Sequence, residues 1–191
     1  IITEFIKNGS IENLVSEYLK SKGAKNDKMN PTIRSKILFG IAATMKRVHQ
    51  SNIIHRDLKL ENVFLDENLE PRIADFRLAK VMLPDVNMTM NVGSPFYMAP
   101  EIFNPASEDD NYDVSVDVYS YALIIYKMFT NDIKMEDNRP IRSPQQYMLK
   151  ISRGVRLARP PSIPEHYWKL VQRCWDQHPD NRPTYEEITE L

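Results

Sequence analysis

Residues 53–79 read IIHRDLKLENVFLDENLEPRIADFRLA, and how this stretch is read decides the fold. The apolar pair Ile53-Ile54 leads into His55-Arg56-Asp57. Lys59 follows two residues after Asp57 and Asn62 five residues after it. A second apolar run ends in another carboxylate, Asp75. Polar tips on short apolar runs are how a scaffold presents several chemical groups to one small space. A solvated turn with satisfied polar groups is the competing reading of the same residues.

Read outward from this stretch, the pattern is mainly helical. Ile11, Leu14, Val15, Tyr18 and Leu19 fall at helical spacing behind Ser10, the expected cap, with Gly23 as the stop. A lysine-rich loop separates this helix from a second one over Pro31 to Gln50, which delivers the chain into the central stretch. His49 is expected as a surface or end-of-helix residue and not as a ligand. Residues 113–130 are apolar almost all round, so that helix belongs at the centre of a helical lobe. Shorter helices are expected at about 145–152, around Trp168 to Trp175, and from Thr184 to Leu191.

Size and composition bound the rest. The 191 residues fit one domain able to bury a core. With 25 basic against 26 acidic residues there is no electrostatic footprint for nucleic acid and no polybasic membrane patch. The longest apolar run, Val118 to Phe129, is too short to span a bilayer, so no membrane insertion is expected. Histidines at 49, 55, 166 and 178 with one cysteine give no metal-ligand spacing. Cys174, alone and beside Trp175, reads as a small core hydrophobe in a reducing cytoplasmic, or nuclear, setting.

HRDLKLEN at 55–62, Asp75-Phe76 and Ala99-Pro100-Glu101, in this order and spacing, resemble the catalytic core of eukaryotic protein kinases. The resemblance implies a protein-kinase-like fold, mainly α with small β elements, and an enzyme using ATP and Mg2+ on a protein substrate. Asp57 is then the base for the substrate hydroxyl, Lys59 the cation beside it, Asn62 a ligand of one magnesium, and Asp75 a ligand of the magnesium that bridges the phosphates. Lys59 resembles the serine/threonine-directed and tyrosine-kinase-like groups. The ending RCWDQHPDNRPTYEEI at 173–188 resembles the latter.

By the same resemblance residues 1–9 are the hinge, with Thr3 guarding the back of the nucleotide pocket and Glu4, Phe5 and Ile6 beside the adenine. The interval from Asp75 to Glu101 is the activation segment. Arg56 is the partner for a phosphate on that segment, with Thr89 as the candidate modified residue. His55, Phe76, Ser94, Glu101, Asp117 and Arg182 are scaffold. Among them Ser94 contacts the base and lysine, Glu101 pairs with Arg182, and Asp117 holds the catalytic-loop backbone.

Two departures temper this. The glycines stand at 9, 23, 40, 93 and 154, so no glycine-rich phosphate loop is present, nor the strand lysine and helix glutamate that accompany one. The expectation is therefore a partial kinase domain over 1–191, hinge plus C-terminal lobe, begun upstream of Ile1 and inactive alone. Arg77 stands where the family has glycine. It either restricts the backbone and displaces Asp75, leaving a pseudokinase that acts as a binding or allosteric module, or it points to solvent and leaves Asp75 free for magnesium.

Overall fold

The computed structural model describes residues 4, 6–20, 29–82, 93–103, 112–137, 141 and 143–191. Thr3, Phe5, Gly23 and Thr89 lie outside them. Helix α1 spans Ile11–Lys20 and α2 spans Pro31–Gln50. Asn30 caps α2 by accepting the Ile33 amide at 2.9 Å, and Pro31 follows at the first helical position. Ser10 stands immediately before α1, where the cap is expected, and also forms a β-bridge to Phe64. That bridge, with Leu65 N–H donating to Gly9 carbonyl at 3.2 Å, fastens the start of the chain to the central stretch.

The central stretch folds as two antiparallel ribbons. Strand β1, Ile53–Ile54, pairs with β4, Lys80–Val81, and β2, Val63–Leu65, pairs with β3, Pro71–Ile73. Short 3-10 turns at Leu60–Asn62 and Phe76–Leu78 sit between them. Gly40 lets α2 lie close against β3, since a Cβ there would meet Pro71 Cγ at 2.5 Å.

Helix α3 is Pro100–Phe103 and α4 is Ser115–Lys127. Every residue of α4 from Val116 to Tyr126 is buried, which is why its sequence shows no polar face. Helices α5, Pro144–Ser152, α6, Glu165–Cys174, and α7, Tyr185–Thr189, complete the lobe around it. Thr184 and Glu187 form a reciprocal capping box at the start of α7. Cys174 is fully buried and burial pushes its thiol pKa up, which fits a core role. No helix among the described residues is long and apolar enough to cross a membrane.

Candidate active site

The loop from His55 to Asn62 is positioned from α4. Asp117, in its first turn, is completely buried and accepts the backbone N–H of His55 at 2.8 Å and of Arg56 at 2.9 Å. Its carboxylate also meets His49 Nε2 at 3.0 Å, and Tyr185 O–H donates to its carbonyl at 2.9 Å. His49 stands at the end of α2, as expected, but not at the surface, since its side chain is 11% exposed. The last turn of α2 abuts the first turn of α4, and a buried carboxylate needs donors on every side. Nothing local in the sequence marks this pairing, because the partners lie 68 residues apart.

With the backbone held there, Asp57, Lys59, Asn62 and Ser94 converge. Asp57 Oδ2 accepts Lys59 Nζ at 2.7 Å and Asn62 Nδ2 at 3.0 Å, and its Oδ1 accepts Ser94 O–H at 2.8 Å. Lys59 Nζ also donates to Ser94 Oγ at 2.7 Å, and Asn62 Nδ2 to the Asp57 carbonyl at 2.8 Å. A nearly buried carboxylate is thus surrounded by one cation and two neutral hydrogen-bond donors, the surroundings a general base needs in order to be held in one orientation. His55 is oriented on both sides of its ring. Asp57 N–H donates to Nδ1, so the ring proton belongs on Nε2, which reaches the Ala74 carbonyl at 3.0 Å. Phe76 packs edge-on to that ring at 4.7 Å.

Gly93 holds Ser94 in place. It has φ +115°, and a Cβ there would lie 2.5 Å from the Arg56 carbonyl oxygen. Gly93→Ala is expected to cost about 1–3 kcal/mol, from backbone strain and from displacement of Ser94. Thermal unfolding measures this, and an unshifted midpoint would contradict it.

Arg56 itself has φ +66° and turns its guanidinium onto two groups, the Leu78 carbonyl at 2.5 Å from Nε and the Tyr112 hydroxyl at 3.2 Å from Nη1. Tyr112 did not figure in the sequence reading, and no spacing rule would single it out. Glu101 and Arg182 form the expected pair, fork to fork, at 2.5 and 2.9 Å, with the Arg182 side chain fully buried. Of the hinge residues that are described, Glu4 is exposed and Ile6 half-buried, and Gly9 N–H closes a turn on the Ile6 carbonyl.

At Arg77 the structure adds a pairing that neither expectation included. The left-handed backbone belongs to Asp75, φ +65°, while Arg77 lies in the 3-10 turn at ordinary negative φ, so the arginine does not restrict the chain there. Nor does its side chain simply project outward. Arg77 Nε donates to Asp75 Oδ1 at 2.6 Å and Nη2 to Oδ2 at 2.7 Å. Those hydrogen bonds hold the Asp75 carboxyl at about 2, charged throughout the neutral range.

The donors suit magnesium in kind. Asn62 spends its amide nitrogen on Asp57, which leaves its carbonyl oxygen as a ligand, and Asp75 adds a carboxylate. Magnesium is usually held by one or two protein carboxylates with phosphates and water making up the rest. Among the described residues no group of three or more His, Cys, Asp or Glu is placed to hold a metal ion.

A helical lobe built on a buried central helix, with a His-Arg-Asp loop fastened to that helix and an Asp-Phe turn beside it, is the architecture of a protein kinase domain. The family model for the protein kinase domain matches residues 1–191, and the chain belongs to that family. It is 34% identical over 187 residues to RGS domain-containing serine/threonine-protein kinase A of Dictyostelium discoideum, 98% of this chain and 15% of the relative. It is 32% identical over 191 residues to serine/threonine-protein kinase STY17 of Arabidopsis thaliana, 100% of this chain and 31% of the relative. Dual specificity protein kinase splA of D. discoideum is 30% identical over 204 residues, 98% of this chain and 8% of the relative. The chain thus spans less than a third of the length of these relatives.

Proposed function

We propose that the chain carries the catalytic and metal-binding half of an ATP-dependent protein kinase that phosphorylates serine or threonine hydroxyls, acting in a reducing cytoplasmic or nuclear compartment. The observation that carries this reading is the convergence of Lys59, Asn62 and Ser94 on the Asp57 carboxylate within 2.7–3.0 Å. Phosphoryl transfer is mostly positioning and charge neutralisation, and these residues are disposed for both. Asp57 accepts the proton of the attacking hydroxyl. Lys59 places a cation where negative charge would otherwise repel the nucleophile. Asn62 and Asp75 would hold magnesium, which supplies charge neutralisation on the phosphates.

A groove of about 710 Å³ runs from Ser94 past Glu61, Phe96, Lys127, Ile133 and Ile141, and its polar and apolar walls suit an extended polypeptide. Serine/threonine preference rests on Lys59 and on two relatives being named serine/threonine-protein kinases. The dual-specificity relative keeps tyrosine in view as a further acceptor.

A second reading, a pseudokinase serving as a binding module, is favoured by the Arg77–Asp75 pair, which takes both oxygens of the metal-binding carboxylate. Labelled ATP and a generic protein substrate, given to the full polypeptide containing this chain, separate the two. The kinase reading expects magnesium-dependent label on phosphoserine and phosphothreonine. Nucleotide binding without any transfer would establish the binding-module reading instead.

A further inference from the structure

Arg77 and Asp75 differ sharply in exposure. The arginine side chain is 83% exposed and the aspartate 24%. The guanidinium therefore comes onto the carboxylate from the solvent side, in two parallel charge-assisted hydrogen bonds at 2.6 and 2.7 Å. This planar fork is the geometry for which arginine outperforms lysine. With most of its surface in water, the arginine side chain can leave without disturbing the core formed by the described residues. Lys59, the other cation of the site, is engaged with Asp57 and Ser94 and is not hydrogen-bonded to Asp75.

A divalent cation needs the same carboxylate oxygens, and hard cations bind through them at short range. Two cations cannot both take that face, and like charges so close repel. The backbone at Arg77 is unstrained, so what the arginine adds over glycine at this position is its side chain.

We propose that Arg77 is a built-in competitor of the metal: its guanidinium occupies the oxygens of Asp75, and a divalent cation gains the site only by drawing Arg77 away. Arg77 is then a positioning residue that sets how much metal the site demands, and a bound phosphate, as an alternative partner for the guanidinium, lowers that demand. This rests on the reading of Asn62 and Asp75 as metal ligands.

The test is a titration of the full chain with Mn2+ alone, followed by paramagnetic broadening of the backbone amides of Asn62 and Asp75. Arg77→Ala is expected to tighten binding about two- to fivefold, the upper part of the range for a well-oriented but exposed pair. Arg77→Lys should fall between, having kept the charge and lost the fork. Asp75→Asn should abolish the broadening with or without Arg77. Equal or weaker Mn2+ binding in Arg77→Ala overturns the competition while leaving the metal site standing. Absence of broadening at both residues in every variant overturns the metal-site reading and the competition with it. Because Arg77 is exposed, a matching thermal midpoint in Arg77→Ala and Arg77→Gln serves as the check on folding.

Discussion

Asp57→Asn is expected to lower the turnover of phosphate transfer by about 10²–10⁴-fold, the usual contribution of a positioned general base, with little change in KM. The amide cannot accept the hydroxyl proton as a carboxylate does, and it also disrupts the local pairing. Asp57 presents acceptors to three donors, Lys59, Asn62 and Ser94. An asparagine offers one oxygen and turns an N–H2 toward a donor, at a cost of about 1–3 kcal/mol for the unmade bond. Steady-state kinetics beside a denaturation curve separate the two effects. A turnover loss that only tracked the stability loss would remove Asp57 from the chemistry.

Asp117→Ala works through the fold alone. Its carboxylate is inaccessible to water and satisfies two backbone amides and the His49 imidazole. Truncation strands those donors in the interior, and about 3–5 kcal/mol of stability should be lost, comparable to breaking a buried ion pair. Urea denaturation measures this, and a loss below about 1 kcal/mol would mean that the loop finds other partners. Activity should fall too, but in step with the folded fraction and with faster amide exchange at His55 and Arg56. The two substitutions therefore leave different signatures, although both lie on one loop and its anchor.

Much of this architecture was legible before any coordinates. Pro31 marks the start of α2 by chemistry local to the turn, and the nearly continuous apolar run of α4 announces a helix surrounded on all sides. The spacing within HRDLKLEN places Asp57, Lys59 and Asn62 together because a short loop and a 3-10 turn cannot separate them far. What escaped the sequence was long-range or conformational. His49 looked like an exposed helix end because its partner belongs to a helix that packs there only in the folded lobe. Tyr112 beside Arg56 gave no signal for the same reason. Ser10 was placed correctly before α1, but its bridge to Phe64, 54 positions along the chain, gave no local signal. Arg77 was conspicuous as a departure, but the sequence could not say whether backbone or side chain would matter.

The freedom of the Arg77 side chain also fixes how its effect would be seen in time. Exposed side chains exchange rotamers in picoseconds to nanoseconds, far faster than turnover at about 1–100 per second. With 83% of its side-chain surface in water, Arg77 is expected to exchange between paired and released positions many times in the time one such turnover takes. Its influence is thus an equilibrium weighting, felt as a shift along the metal concentration axis. Progress curves should start at full velocity, with no lag for the arginine to depart.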